Sequence, residues 1–264
     1  MVRAFVREFV IFGVKQANAC LFAGALLAAI LVTHWWYPVP GLLRYDFLFL
    51  FALALQVILL VTRLESLREA AVIVVFHLLA TGMEWFKTSD AIRAWQYPEP
   101  FRLGFLNVPF FAGFMYSAVG SYIARVWKIF EFRFSHYPPR WPTVVVALLI
   151  YANFFTHHLI WDLRWGLFFV VVVLYGRVWI YFKVAETYRR MPLLMGWFLV
   201  AMFVWFAENL GTYAKVWLYP NQKAGWELVP VTKLAAWLLL LILSFVLVSL
   251  VRKPEPMTTS GDNQ

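Results

Sequence analysis

From Leu234 to Val251 the chain reads LAAWLLLLILSFVLVSLV, a run without one charged residue. A helix rising about 1.5 Å per residue needs about 20 apolar residues to cross the hydrocarbon core of a bilayer. Runs of this kind recur along the whole chain. They account for a composition that is 63% hydrophobic and 14% charged, with 26 Phe and 14 Trp. A soluble chain of 264 residues cannot hide so much apolar surface. The sequence reads as a polytopic membrane protein.

Hydropathy places spans near Ala19–Trp36, Tyr45–Val61, Ala70–Phe86, Val108–Phe130, Thr143–Ile160, Trp165–Phe182, Leu193–Thr212 and Val231–Val251. The expectation is an all-α transmembrane bundle of about eight helices. Residues 1–18 carry Arg3, Arg7, Glu8 and Lys15 among apolar residues, as an interfacial amphipathic lead-in does. No small-residue cleavage pattern follows the first span, so no signal peptide is expected. Residues 135–142 hold Pro138, Pro139 and Pro142 and read as a stiff connector. Residues 252–264 read as a polar, disordered tail.

The chain also answers itself. In the first half Glu84 is followed by Thr88, Trp95-Gln-Tyr97-Pro98 and Val108-Pro109. In the second, Glu208 is followed by Thr212, Trp217-Leu-Tyr219-Pro220 and Val229-Pro230. Upstream, Thr33-His34 matches Thr156-His157, and Leu43-Arg44-Tyr45 matches Leu163-Arg164-Trp165. An ordered series at near-constant offset predicts an internal duplication. It divides the chain into two four-helix repeats, 19–134 and 143–251. Four is even, so both repeats enter from the same side and are parallel rather than inverted.

The net charge of +9 does not mark a nucleic-acid binder, because the basic residues flank apolar spans instead of forming a stripe. Fifteen of the 23 Lys and Arg fall on the side that holds both termini. The positive-inside bias puts that side in the cytoplasm. A bacterial cytoplasmic (inner) membrane, crossed several times, is the expected location. The single cysteine, Cys20, sits inside the first span and excludes an intramolecular disulfide and any multi-cysteine metal site.

Ionisable groups inside spans cost about 2.5–3.5 kcal/mol each on insertion scales, so they are the functional candidates. His77 and Glu84 are seven apart on one helix face; Asn153 and His157 are four apart on another helix, as are Glu208 and Thr212 on a third. Two carboxylates in a low-dielectric site suit acid–base chemistry on a lipid-phase substrate, with the histidines relaying protons or orienting a carboxylate. Glu84, Glu208, His77 and His157 are therefore the expected catalytic groups. Asn153, Thr212, Trp95, Tyr97, Trp217 and Tyr219 are the expected substrate-binding wall, in the outer leaflet half. The spacing lacks His-x-x-x-His or Glu-x-x-His on one helix, so no metal site is expected, and nothing identifies a cofactor.

Three strings carry a family resemblance: Trp95-Gln-Tyr97-Pro98-Glu99, Val108-Pro-Phe-Phe-Ala-Gly113-Phe-Met-Tyr116 continuing to Tyr122, and Asn153-Phe-Phe-Thr-His157-His158. They resemble a bacterial integral membrane family catalogued as domain of unknown function 817. The resemblance covers nearly the whole chain, implies a polytopic membrane protein and brings no activity. More distantly, each repeat is similar to membrane carotene cyclases and related carotenoid-modifying proteins. There a glutamate near a helix end precedes a Trp-x-aromatic connector and a proline-opened helix. The cyclases have paired acids just after the proline, where this chain has Phe110-Phe111 and Val231-Thr232. The similarity thus implies architecture alone. The expected function is an enzyme or binder for a lipidic, isoprenoid-like ligand held in the bilayer. The alternative is a small-solute or proton-coupled transporter.

Overall fold

The computed structural model describes residues 2–257. Its helices, in chain order, are α1 (Val2–Ala19), α2 (Leu21–Trp35), α3 (Arg44–Val61), α4 (Leu67–Thr88), α5 (Phe111–Ile129), α6 (Arg140–Thr156), α7 (Arg164–Tyr175), α8 (Leu193–Tyr213) and α9 (Thr232–Val251). Four of them, α3, α4, α8 and α9, are each long and apolar enough to cross a membrane. The pair α1–α2 qualifies as a fifth when taken together, but it bends by 72° at Cys20. These helices are compatible with a multi-pass membrane protein.

Each of the eight segments expected as spans contains a helix, yet fewer reach spanning length. The apolar helix α6 has 17 residues and α7 only 12. The expected helix Trp165–Phe182 stops early, with Gly176 as the C-cap of α7. A Cβ there would lie 2.5 Å from the Val172 carbonyl oxygen. Beyond Gly176 the chain becomes extended. Three strands, β3 (Arg133–Ser135), β4 (Trp179–Lys183) and β5 (Tyr188–Pro192), form an antiparallel sheet in the order β3-β4-β5, with Phe134 opposite Ile180 and Tyr181 opposite Arg190. Two shorter strands, β1 (Gly104–Phe105) and β2 (Val108–Pro109), make a hairpin ahead of α5. The fold is therefore mostly helical with small sheets at its ends, not all-α.

Local chemistry explains several boundaries. Ser66 accepts from the Glu69 amide while the Glu69 carboxylate accepts from the Ser66 amide at 2.7 Å, a reciprocal cap that starts α4 three residues before the expected span. The expected span Val108–Phe130 loses its first residues to β2, whose Pro109 cannot donate within a helix. Arg252, just past α9, donates to the same Glu69 and ties the two helices together.

The last helix is central. α9 packs against α4, α5, α6 and α8, and Leu239 to Val246 is buried throughout. One core joins it to α6, α7 and α8, with Phe245 packed against both Trp127 and Trp197. A second core lies in the first half, where Phe22, Tyr45, Leu48 and Phe111 meet. The lead-in α1 packs through Ala19 on Val126, Phe130 and Val184, and leaves Phe5, Phe9 and Val14 exposed. Part of the expected disordered tail is instead paired. Phe134 donates to the Glu255 carbonyl at 2.9 Å and accepts from the Met257 amide at 3.1 Å. The remainder of that tail, 258–264, lies outside the described residues.

Candidate functional site

The last turn of α4 carries Glu84, only 1% exposed. A carboxylate at that depth needs partners, because stranding it without hydrogen bonds is expensive. It has three. Tyr116 of α5 donates its hydroxyl to Oε1 at 2.6 Å. The Trp95 indole N–H and the Tyr97 hydroxyl donate to Oε2 at 2.9 and 2.7 Å. Trp95 and Tyr97 lie on the connector between α4 and α5, which must double back to reach Glu84. The Asp46 carboxylate of α3 holds that connector by accepting the Arg102 and Leu103 amides. The buried Arg44 guanidinium does the same through Glu99, while also donating to the Ile30 and Ala214 carbonyls.

A second carboxylate is held in the same manner. Glu208, on the last turns of α8, is 2% exposed and accepts from the Tyr219 hydroxyl and from the Trp237 indole N–H, the latter at 2.6 Å. Tyr219 comes from the connector between α8 and α9, and Trp237 from α9. Asn209 anchors this connector: its carbonyl oxygen accepts the Val229 amide at 2.9 Å. Gln222 closes the turn by accepting from the Tyr219 amide and donating to the Glu227 carbonyl.

The two arrangements touch. Gln96 and Leu218 exchange both backbone hydrogen bonds, at 3.0 and 2.9 Å, so the connectors are joined by an antiparallel bridge. Tyr116 lies 6.1 Å from Trp237 between ring centroids, and Trp95 lies 6.3 Å from Tyr219. Both phenols on the connectors, Tyr97 and Tyr219, are pushed well above the usual tyrosine range, first by burial and then by the carboxylate each one faces. They stay protonated and act as donors.

Over this cluster opens a cleft of about 360 Å³, lined by both connectors. Trp95, Tyr97, Phe101 and Leu106 give it apolar walls; Asp90, Arg93 and Lys223 give it charge. Trp95 and Tyr97 thus line the cleft and also hold Glu84.

The other expected site residues sit elsewhere. His77 is two turns along α4 from Glu84, wedged against α5. A Cβ on Gly113 would lie 2.3 Å from its Cε1, and Phe114 meets its ring edge-on at 4.8 Å. Its Nδ1 is buried with no hydrogen-bond partner among the described residues. His157 caps α6, with Nδ1 on the Asn153 carbonyl at 2.8 Å, and is not hydrogen-bonded to either glutamate. Asn153 is a loop clamp: its amide donates to Asp162 and its carbonyl oxygen accepts the Leu163 amide. Thr212 accepts from the Trp226 indole. Trp217 packs on Gly211 and does not hydrogen-bond to Glu208.

The Asn153 corner has its own electrostatics. Burial works upward on the Asp162 carboxyl, but the Arg164 amide, the Asn153 amide and the Arg164 guanidinium together hold it below the usual range. His158, whose ring lies 3.9 Å from that of His157 at a 40° tilt, is pushed down to about 4 by burial and by the neighbouring His157, Lys87 and Lys233. Among the described residues no group of three or more His, Cys, Asp or Glu could hold a metal ion.

Sequence reasoning assigned no role to Tyr116 or Trp237. A signal for them exists: Tyr116 lies seven residues past Pro109, and Trp237 seven past Pro230. Each ends up as the helix-borne donor to the glutamate of its own half.

The model of the family described as Protein of unknown function (DUF817) matches residues 8–245. The chain belongs to that family. It is 36% identical, over 248 residues, to the Uncharacterized protein YoaT of Bacillus subtilis (strain 168), which covers 94% of this chain and 93% of that protein. No solved structure matches. These matches do not show the similarity to carotene cyclases, and they attach no activity to the family.

Proposed function

We propose that this member of the family binds a lipidic or amphiphilic small molecule in the cleft between its connectors. Glu84 and Glu208 are the acid–base groups behind the aromatic wall. One observation carries the reading: Trp95 and Tyr97 line the cleft and simultaneously donate to Glu84. A ligand pressing on either ring acts on the carboxylate through one hydrogen bond, so any proton exchange between ligand and Glu84 runs through the Tyr97 hydroxyl. Apolar walls with a few charged groups at the rim suit a molecule with an apolar body and a polar end. His77 and His157 stand outside this exchange, as the wedge against α5 and the cap of α6.

The same reading treats the chain as two parallel repeats. It is supported by matched partners: each glutamate takes a tyrosine from the connector that follows it and an aromatic donor seven residues past the proline of the Val-Pro string that ends that connector. It also places the cleft at the outer face of a bacterial inner membrane, with both termini cytoplasmic, on the distribution of Lys and Arg.

Native mass spectrometry of gently extracted protein tests the binding. The expected outcome is a co-purifying lipid-class mass on the wild type that disappears in the Trp95→Ala, Tyr97→Ala double variant. A wild type that carries no such mass and conducts ions in liposomes sinks the reading and makes the protein a transporter.

A further inference from the structure

Two lysines approach Trp95. The Nζ of Lys87, on the last turn of α4, is 5.7 Å from the Trp95 ring centroid and 5.5 Å from that of Phe154. The Nζ of Lys233, on the first turn of α9, is 6.0 Å from the same Trp95 ring and 4.2 Å from Tyr219. Lys87 is 7% exposed. Among the described residues neither ammonium makes a hydrogen bond or an ion pair. The obvious counter-charges are engaged elsewhere. Glu84 accepts three aromatic donors and Glu208 two, and neither comes within ion-pair distance of a lysine. Asp162 is taken by Arg164 at 2.9 Å.

Two ammonium groups without a protein partner, both close to one indole, repel each other. The ring faces offset part of that, since the quadrupole of an indole or phenol ring attracts a cation held over it. An oxyanion between them would supply the rest. Arg164 adds positive charge within electrostatic reach of Lys87, and the carboxylates of Glu84 and Asp162 add negative charge. Neither lysine lines the cleft described above, although Trp95, which both approach, does.

We propose that Lys87 and Lys233 form an anion-binding site for a phosphate group, either the headgroup of an anionic lipid or free phosphate. Phosphate matches the donor set: several oxygens on one centre accept from two ammonium groups at once.

The test is thermal unfolding of the full chain in mild detergent. One arm titrates inorganic phosphate against chloride at equal ionic strength. The other titrates dihexanoyl phosphatidic acid against dihexanoyl phosphatidylcholine. A probe at about 100 times its Kd should raise Tm by about 5 °C. A rise with inorganic phosphate identifies a free anion; a rise only with phosphatidic acid identifies a lipid headgroup. Either rise should vanish in Lys87→Met, Lys233→Met and persist in Lys253→Met, whose exposed lysine lies elsewhere. Should the double variant not fold, Lys233→Gln alone, at a half-buried helix start, should weaken binding at least tenfold. No rise with either probe overturns the proposal. So do equal rises with the phosphatidylcholine control, or a rise that survives the lysine substitutions.

Discussion

Glu84 and Glu208 differ in how many donors depend on them, and that difference is measurable. Removing Glu84 strands Trp95, Tyr97 and Tyr116; removing Glu208 strands Tyr219 and Trp237. Each buried donor left without an acceptor costs about 1–3 kcal/mol. Glu84→Leu should therefore lower Tm more than Glu208→Leu, and Gln at either position, which keeps an acceptor, should lower it less. Equal Tm values for all four variants would show that neither carboxylate holds its connector. The sequence made the glutamates legible because each recurs ahead of the same Trp-x-Tyr-Pro string. It could not show that the donors Tyr116 and Trp237 complete their shells, since both look like ordinary span aromatics. His77 sits apart from the cluster for a reason of helix geometry. Helical spacing put it on the face of Glu84, but two turns is about 11 Å along the axis, beyond direct contact.

At the scale of elements, helix identity was legible and helix ends were not. Apolar runs mark α3, α4, α8 and α9 as long and apolar enough to cross, because length and hydropathy alone set that criterion. The end of α7 was missed because Trp179-Ile-Tyr-Phe is as apolar as a helix, and hydropathy does not distinguish a strand from a span. The short run Val178-Trp179-Ile180-Tyr181-Phe182 just past Gly176, made only of β-branched and aromatic residues, was the available signal. The bend at Cys20 carries a prediction. If α2 stands across the bilayer, a helix inclined to it by 72° lies near the surface plane, with Phe5, Phe9 and Val14 turned to lipid. Spin labels at Val10 and Val14 in a Cys20→Ser background should then report one shallow depth, whereas labels at Leu21 and Leu31 should differ by about 15 Å at 1.5 Å per residue. A steady deepening from Val10 through Leu31 would mean α1 and α2 form one straight span in the membrane.

For the whole molecule the decisive joint is where the connectors meet. Gln96 and Leu218 bond reciprocally, as an antiparallel pair does, which sets their Cα atoms about 5.5 Å apart. A disulfide needs about 4.4–6.8 Å. In a Cys20→Ser background the Gln96→Cys, Leu218→Cys variant has the geometry to close on itself, and whether it does so in the cell depends on the side. Disulfides form spontaneously in the oxidising periplasm or cell exterior and stay reduced in the cytoplasm. With the connectors outside, as proposed above, the expected result is an oxidised pair in freshly harvested cells without added catalyst. A gel shift on reduction reads it. The crosslink joins residues from the two halves, so cleavage engineered within the 135–142 connector should leave the halves linked until reductant is added. A pair that is reduced in cells yet closes at once when membranes are treated with a mild oxidant would keep the joint and reverse the topology, moving the cleft to the cytoplasmic face. A pair that never closes would remove the joint itself, and with it the shared wall between Glu84 and Glu208.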